Sequence, residues 1–307
     1  MKYNSPPQSI EQLATFLLSK GMVIEDIKTA KENLTNIGYF RFKKFSTKFQ
    51  IKGDTDDYSF SNNTYFEEII DNYSFDSQLR IIIFEAIANI EIAYKSVLNY
   101  TMTLRSGCHW YLDPTVFKPE FSQNSDENSQ SGYDKFLFKL TKECAESSDR
   151  FVQKYKFNYS EPELPPSWIV LDIISFGMSS HIYQNILSTD ARNEISAMFK
   201  INQKFFETWL ISLSYIRNQC AHHQKIIEKK VMYPPRMPQR STNKFIEEEG
   251  NDGSLYNVLC VIRNCLRNIK SNSFFKDSLI DLINCNEQID LKLLGFPDNW
   301  RNEEIWQ

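Results

Sequence analysis

Histidine and glycine are both scarce in this chain, and each scarcity narrows what the protein can be. Only four histidines and nine glycines occur among 307 residues. β-Rich folds with many tight turns need more glycine than this, whereas helices need very little. The sequence also has no glycine-rich phosphate-binding loop and no alternation of strand and helix patterns. These absences favour an all-α fold.

Long apolar runs are missing as well. No run approaches the roughly 20 residues that span a bilayer, and residues 1–7 lack the apolar core of a secretory signal. The six cysteines are scattered, without the spacing of a disulfide framework or of a metal-binding pair. We therefore expect a cytoplasmic protein with reduced thiols, no membrane association, and no metal or other cofactor.

Basic residues are concentrated in two stretches, although the net charge of the chain is −4. Residues 41–52 hold five basic residues and no acid, and residues 225–244 hold six against one. Local positive stripes attract phosphate backbones whatever the total charge, and phenylalanines interleaved in the first stretch suit base stacking. A solvated basic face over a phenylalanine core is the alternative explanation. The predicted RNA-binding residues are Arg41, Lys43, Lys44, Lys48, Lys225, Lys229, Lys230, Arg236 and Arg240.

Two of the four histidines are adjacent in the segment Arg-Asn-Gln-Cys-Ala-His-His at 217–223, directly after an apolar helical run at 205–216. Arg217 is a permanently charged fork of donors that suits phosphate oxygens. Histidine exchanges protons near neutral pH, so His222 can serve as a proton carrier. Asn218 precedes His222 by one helical turn, where its amide can orient the imidazole. The combination predicts metal-free phosphodiester chemistry.

RNA is the substrate that suits such a site, because the ribose 2′-hydroxyl is an internal nucleophile already held beside the phosphorus. Arg217 and His222 are five residues apart, about 140° around an α-helix. One helix therefore does not direct both side chains at the same atom unless the long arginine curls back. Cleavage also needs two proton carriers. A homodimer that brings two copies of the motif together meets both needs, and we favour it.

Two other interpretations of the motif stay open. In the first, Arg217 pairs with a carboxylate and the histidines cap the C-terminus of a helix, where cations are favoured. In the second, Cys220, His222 and His223 hold a zinc ion. Contiguous ligands suit a tetrahedral site poorly, and the chain has no Cys-x2-Cys partner for it.

The motif resembles the Arg-x4–6-His signature of HEPN-superfamily ribonucleases. Its form, Ile-Arg-Asn-x-Cys-Ala-His-His, is similar to that of the abortive-infection Abi family (AbiD/AbiF-like) of bacterial anti-phage proteins. Further segments resemble other blocks of the family in the same order along the chain, at 37–42, 73–80, 87–93, 164–168 and 174–177. One departure follows the histidines, where the family usually has a basic run with Trp and Asn. This chain has Gln-Lys-Ile-Ile-Glu-Lys instead.

The resemblance implies a metal-independent endoribonuclease of anti-phage defence, built on a HEPN-like helical bundle. Arg217 would then be the phosphate clamp and His222 the proton carrier. Asn218 would orient the histidine, and His223 would be a second proton group or a structural partner. The resemblance also allows a different function, an RNA-binding module with little cleavage of its own. Such a module would hold a structured non-coding RNA that scaffolds or inhibits it.

The spacing of apolar residues and helix breakers predicts three parts of the chain. They are an N-terminal helical and basic lobe at 1–63, a HEPN-like helical core at 64–230, and a basic arm with C-terminal helices at 231–307. A low-complexity insertion is predicted at 122–132. Prolines after residue 233 predict that the basic arm is exposed and irregular.

Individual helices are also predicted. A capping box of Ser9 and Gln12 begins the first one. A short helix is predicted at about 64–72 and a C-terminal helical pair at about 255–269 and 273–284, and Asn202 is the predicted N-cap of the motif helix. Apolar residues at helical spacing also predict a long helix from 74 to about 105. Glu85 and Glu91 lie on it, and a buried acid there would orient the arginine or a histidine of the motif. A solvated glutamate is the default at both positions.

Overall fold

α-Helices form almost all of the regular structure. A computed structural model of the chain describes residues 6–52, 58–123, 130–239 and 244–307. Its helices in chain order are α1 (Ile10–Ser19), α2 (Ile27–Ile37), α3 (Tyr39–Ser46), α4 (Phe66–Ser106), α5 (Pro119–Ser122), α6 (Gly132–Glu146), α7 (Arg150–Asn158), α8 (Ser167–Ile173), α9 (Phe176–Asn185), α10 (Thr189–Ala197), α11 (Gln203–Ala221), α12 (Leu255–Asn268) and α13 (Phe275–Asn284). Within those ranges the one sheet is an antiparallel hairpin of β1 (Gln50–Lys52) and β2 (Tyr58–Phe60). The predicted all-α class is confirmed, while the HEPN-like character of the core stays a prediction.

Helix α4 is the element against which most others pack. It spans 41 residues and contacts α3, α8, α10, α11, α12 and α13. The sequence predicted two helices here, but neither glycine nor proline interrupts residues 66–106, so the chain stays helical throughout. None of the helices in the described ranges is long and apolar enough to cross a membrane. The residues that α4 buries completely recur at helical spacing and include Phe75, Leu79, Ile83, Ile87, Ile90, Tyr94 and Leu98.

Helix α11, which carries the arginine–histidine motif, is held firmly against this core. Asn202 caps its N-terminus as predicted, and the side chain accepts from the backbone N–H of Lys204 at 2.9 Å. The buried Phe206 ring stacks on Phe199 with centroids 4.6 Å apart and meets Tyr94 of α4 edge-on. The position of the motif is therefore set by close packing along the whole helix.

The N-terminal elements follow the sequence prediction in part. The capping box of Ser9 and Gln12 is present. The aromatic–basic stretch forms α3, whose Phe42 and Phe45 are buried while Phe40 is 75% exposed. The explanation as a phenylalanine core therefore holds for Phe42 and Phe45, while base stacking by the exposed Phe40 stays a prediction. The β1–β2 hairpin was not predicted, because strands of three residues carry too little alternation to be recognised.

The segment after the motif differs from the exposed arm that was predicted. Residues 222–239 are irregular, but part of the segment is hydrogen-bonded to α11. The indole N–H of Trp209 donates to the carbonyl of Arg236 at 2.8 Å, and the N–H of Arg236 donates to Thr208 at 3.0 Å. Pro235 and Met237 are buried. These two hydrogen bonds therefore fix the backbone of this segment to α11. Arg240 lies outside the described residues.

The C-terminal helices α12 and α13 agree with the helices expected at 255–269 and 273–284. One connected set of buried apolar residues runs from Leu13 to Trp306. The three-part division of the chain stays a prediction. Most of the proposed insertion at 122–132, namely 124–129, lies outside the described residues.

Replacing Phe206 with alanine tests how firmly α11 is anchored. We expect Phe206→Ala to lower the free energy of unfolding by about 3–5 kcal/mol, because the cavity left under the aromatic cluster cannot collapse fully. Phe138→Ala is the matched control, since Phe138 is 73% exposed, and it should change stability by less than about 0.5 kcal/mol. Chemical denaturation followed by circular dichroism measures both. Equal losses in the two variants would contradict the packing described above.

Candidate functional site

Helix α11 ends at the histidine pair. The N–H of Gln224 donates to the carbonyl of Gln219 at 2.9 Å, and the N–H of His223 donates to that of Cys220 at 3.1 Å. Helices commonly end with this pair of hydrogen bonds, and the residue at the turn is usually a glycine in the left-handed backbone conformation. Here His223 takes that place with φ of 53°, at a cost of about 1 kcal/mol. The turn leaves the side chains of His222 and His223 exposed at the tip of the helix.

Arg217 lies where α11 faces α4. Its guanidinium carbon is 5.5 Å from the centre of the Phe84 ring, and its Nε is 3.8 Å from a carboxylate oxygen of Glu91. One terminal nitrogen donates to Oδ1 of Asn218 at 3.2 Å. The side chain is 32% exposed. A guanidinium has five N–H groups, so a cation steadied by an aromatic ring still has donors for an anion from solvent.

Of the two acids considered on the long helix, Glu91 is the one that reaches Arg217. Its other carboxylate oxygen lies 2.7 Å from the ammonium of Lys95. The 3.8 Å separation from Arg217 exceeds hydrogen-bonding range. The carboxylate therefore orients the guanidinium without engaging its N–H donors. Glu85 instead accepts hydrogen bonds from Asn89 and Ser273.

Asn218 does not orient His222 in the way that helical spacing indicated. Its side-chain oxygen accepts from Arg217, and within the described ranges no hydrogen bond joins its amide to the imidazole. The backbone carbonyl of Asn218 accepts from the N–H of His222 at 3.0 Å. His222 is the last residue before the turn, so its side chain projects beyond the helix face that Asn218 occupies.

A buried ion pair that the sequence reasoning missed lies beneath His223. One terminal nitrogen of Arg80 is 3.3 Å from Nδ1 of His223. The Nε of Arg80 donates to Asp76 at 2.8 Å, with both side chains at most 5% exposed. A guanidinium can only donate, so Nδ1 of His223 is the acceptor in this contact. The available signal was an acid and an arginine four residues apart on the face of α4 that is otherwise apolar.

Asp76 also fixes the segment that follows the histidines. Its second oxygen accepts from the backbone N–H groups of Ile226 and Ile227 at 2.8 and 3.0 Å. One buried carboxylate therefore joins α4, the turn at His223 and the returning chain. Buried charges are tolerated when they are paired and fully hydrogen-bonded in this way.

Two of the nine predicted RNA-binding residues are paired with the same acid of the protein, Glu228. Glu228 lies 2.6 Å from the ammonium of Lys48 and 2.5 Å from that of Lys225. Lys225 is buried, donates to the carbonyl of Lys44, and lies 4.8 Å from the centre of the Phe45 ring. These contacts fasten the segment after the motif to the N-terminal lobe. They leave both ammonium groups less available to a phosphate than the sequence suggested.

The other predicted RNA-binding residues vary in accessibility. Arg41 is half-buried, and Arg240 lies outside the described residues. Lys230 is paired with Asp252 at 3.1 Å, an exposed contact of little strength. The exposed members are Lys43, Lys44, Lys229, Lys230 and Arg236. RNA binding by the whole set stays a prediction.

Cys220 belongs to the core rather than to a set of metal ligands. It is 5% exposed, and burial raises the pKa of its thiol to about 12. Thiolates, not thiols, bind metals well. The side chain therefore packs under the helix tip while the two histidines face outward, which does not favour the zinc interpretation.

An open groove of about 420 Å³ runs beside the helix tip. We call it the motif groove. Ile81 and Phe84 are partly to largely exposed in it, and such apolar surface next to a polar site is typical of a place where another molecule binds. The residues that line it include Arg80, Ile81, Phe84, Cys220, Ala221 and His223.

The fold and this site together define an all-helical protein with an arginine–histidine motif displayed at a helix tip. The chain belongs to the Abi-like protein family, whose model matches residues 32–228. That range contains α4, the motif and the Asp76–Arg80 pair. No curated protein and no solved structure matches the chain. The resemblance to the abortive-infection family is thereby confirmed, and membership suggests a role in abortive-infection defence.

The Asp76–Arg80 pair gives a direct test of how the site is held together. Asp76→Ala leaves a buried guanidinium unpaired and two N–H groups unsatisfied, so we expect a loss of about 3–5 kcal/mol in unfolding free energy. Glu146→Ala breaks the exposed pair with Lys142 and should cost less than about 1 kcal/mol. Denaturant titration measures both variants.

A second variant covers the case in which Asp76→Ala does not fold. Asp76→Asn keeps an acceptor for the backbone N–H groups of Ile226 and Ile227 but removes the charge that faces Arg80. It should fold with a smaller loss of stability and expose the segment after the histidines to limited proteolysis. Wild-type stability in both Asp76 variants would show that the pair does not support the site.

Proposed function

We propose that the protein is a metal-independent endoribonuclease of anti-phage defence, and that Arg217 and His222 carry out the cleavage. The observation that supports this most is where the motif lies. Both side chains reach solvent at the tip of a rigid helix, and neither is sealed in the core. Arg217 rests on Phe84, which lines the motif groove. A strand of RNA can therefore approach both groups.

The proposed reaction is attack by the ribose 2′-oxygen on its own phosphorus. His222 takes the proton from the 2′-hydroxyl as the new P–O2′ bond forms, and the P–O5′ bond breaks. A second proton carrier protonates the departing 5′-oxygen. Arg217 stabilises the charge that builds up on the non-bridging oxygens. The products are a 2′,3′-cyclic phosphate and a 5′-hydroxyl, and DNA, which lacks the nucleophile, is not cleaved.

In this proposal Asn218 and His223 support the two main residues. Asn218 positions the guanidinium of Arg217, with which it shares a hydrogen bond. His223 has its Nδ1 engaged by Arg80 and its Nε2 directed away from that contact. It serves either as the second proton group or as the link between the helix tip and the buried pair.

A symmetric homodimer completes the proposed site. Arg217 points toward α4, whereas His222 projects from the helix tip, so the two groups of one chain do not meet. The exposed apolar side chains of Ile81 and Phe84 beside the motif offer a surface that a second copy would cover. A two-fold axis there would bring the arginine of one chain to the histidine of the other.

An exposed face of α3 favours RNA binding in addition to cleavage. Phe40 is largely exposed, and Lys43 and Lys44 follow it by three and four residues, on the same side of the helix. An aromatic ring beside two ammonium groups suits a stacked base and its phosphates. The alternative function, an RNA-binding module with little cleavage, rests on this same surface.

Cleavage of RNA in the presence of EDTA tests the proposed activity. Wild-type protein should leave 2′,3′-cyclic phosphate ends, and Arg217→Ala and His222→Ala should each lower the rate about 10²–10⁴-fold. Arg150→Ala is the matched control, because Arg150 is exposed on α7, away from the motif. A substrate with one 2′-deoxyribose at the cleavage position should resist.

Three results would count against the assignment. Full activity in both motif variants would remove Arg217 and His222 from the reaction. Cleavage at the deoxyribose position would remove the 2′-hydroxyl mechanism. A wild-type protein that never cleaves but purifies with one discrete RNA would favour the RNA-binding module.

Mixing two inactive variants tests the dimeric site. When Arg217→Ala and His222→Ala chains exchange subunits, half of the dimers contain one chain of each kind. With His223 as the second proton group, each such dimer has one complete site with an intact arginine and an intact His222, so about a quarter of wild-type activity should return. Phe84→Glu should lower both dimer formation, measured by light scattering, and cleavage. No recovery on mixing, in chains shown to exchange, would place the arginine and the histidine of each site on one chain.

A further inference from the structure

A second groove opens on the far side of Glu91, between α4 and α8. We propose that this groove, here named the Trp168 groove, binds one unpaired nucleobase, with guanine preferred. This inference rests on the proposed function, because the base would belong to the RNA strand whose phosphate Arg217 binds. The groove encloses about 450 Å³, room for a base and its ribose, and its lining includes Ala88, Glu91, Ile92, Asn99, Trp168 and Asp172.

Trp168 is the exposed aromatic surface of this groove. The chain has five tryptophans, all within the described residues. Trp168 is 48% exposed, while the other four are at most 5% exposed. Across from it, Ile92 is 70% exposed. An indole and an aliphatic side chain that flank a groove suit a flat aromatic guest, and stacking on an aromatic side chain is the usual way in which proteins hold unpaired bases.

The walls of the Trp168 groove are fixed in position. At the start of α8, the buried Ser167 hydroxyl donates to Oδ1 of Asn99 at 2.7 Å and lies 3.1 Å from the hydroxyl of Thr103. At the other end of α8, the ammonium of Lys95 donates to the carbonyl of Ile174 at 2.7 Å. Both ends of α8 are thus tied to α4. A groove that is already formed loses little entropy when it binds a ligand.

The polar groups of the groove match the edge of a guanine. Asn99 uses its oxygen on Ser167, which leaves its amide N–H groups to donate. Asp172 is exposed, and no cation in the described ranges pairs with its carboxylate. Guanine presents two adjacent N–H donors beside a carbonyl acceptor. A carboxylate can accept from both donors while an amide donates to the carbonyl, and the other bases lack that paired donor edge.

The charges along the groove fit one nucleotide in one direction. Arg217, next to Glu91, is the cation at one end, and Trp168, which follows the Ser167 that is hydrogen-bonded to Asn99, lies toward the other. Lys95 adds little positive charge between them because it is paired with Glu91. From Glu91 to Asn99 the groove follows eight residues of α4, about 12 Å. A nucleotide would lie with its phosphate at Arg217 and its base at Trp168.

Intrinsic tryptophan fluorescence of the full-length protein tests this proposal. Guanosine 5′-monophosphate should quench the emission saturably, because the single exposed indole is the one it stacks on. Ribose 5-phosphate, which lacks a base, should not quench the emission. Adenosine 5′-monophosphate should bind more weakly than guanosine 5′-monophosphate. N-Acetyltryptophanamide corrects for light absorbed by the nucleotides. Trp168→Phe should abolish the quenching and so assign it to this residue.

Asp172→Asn tests the recognition of guanine separately from stacking. Asp172→Asn should lower the affinity for guanosine 5′-monophosphate about tenfold, since a good base contact provides that order of discrimination. The affinity for adenosine 5′-monophosphate should change little. Asp190→Asn, at an exposed acid on α10, is the matched control and should change neither. Equal affinities for the two nucleotides in the wild type would overturn the preference for guanine.

The proposed binding of a base in the Trp168 groove and the proposed ribonuclease activity can be refuted independently. His222→Ala should lose cleavage but keep the quenching by guanosine 5′-monophosphate, whereas Arg217→Ala, which also removes the cation at the phosphate, should lose cleavage and weaken the quenching. Quenching in a wild-type protein that shows no nuclease activity would sustain the groove and overturn the ribonuclease. Cleavage by a wild-type protein whose tryptophan emission no nucleotide quenches would overturn the groove, as would quenching that persists in Trp168→Phe.

Discussion

The buried carboxylate of Asp76 is the contact on which the candidate site depends most. It pairs with Arg80 one turn along α4 and accepts from two backbone N–H groups of the chain that returns after the histidines. Removing a paired charge from a dry interior leaves its partner unsatisfied, so this contact is far more costly to break than a surface pair. The left-handed turn at His223 is held in place by this contact, because Arg80 connects the imidazole to the same carboxylate.

Helix α4 supports the motif from two sides at once. Its Arg80 meets the histidine at the helix tip, and its Phe84 and Glu91 meet the arginine one and a half turns earlier on α11. Because all three groups are on one rigid helix, their separations are fixed by helical geometry rather than by a loop. Sites built on helices are held more precisely than sites built on loops. The sequence places the motif on α11, but its geometry is decided largely by α4.

The sequence predicted the helices more completely than it predicted the site. The spacing of apolar residues and the positions of helix-breaking residues were sufficient to predict α1, α11, α12 and α13. Each of these helices buries a regular stripe of side chains, and several have a recognisable N-cap. The motif residues were found because arginine, asparagine and histidine are unusual after an apolar run. The partners of those residues were not found. Asp76 lies more than 140 residues from the segment it binds, and one sequence gives no measure of which distant residues touch. Lys48 and Lys225 show the same limit, because their charge was visible and their pairing with Glu228 was not.

That pairing bears on how an acidic protein could hold a polyanion. Lys48 and Lys225 share the single carboxylate of Glu228 and so connect the N-terminal lobe to the motif segment. Part of the basic character of the two stretches therefore serves internal contacts. Of the predicted RNA-binding residues that the structure describes, Lys43, Lys44, Lys229, Lys230 and Arg236 still face solvent. Arg217 is held in a defined orientation by the ring of Phe84 and the carboxylate of Glu91. Selective recognition would then come from a small number of oriented groups rather than from a broad positive surface. Such a site depends less on salt than a surface that neutralises many phosphates. In the proposed function, apolar contacts such as those of Phe40 and Trp168 would then contribute a larger share of the affinity for an RNA strand.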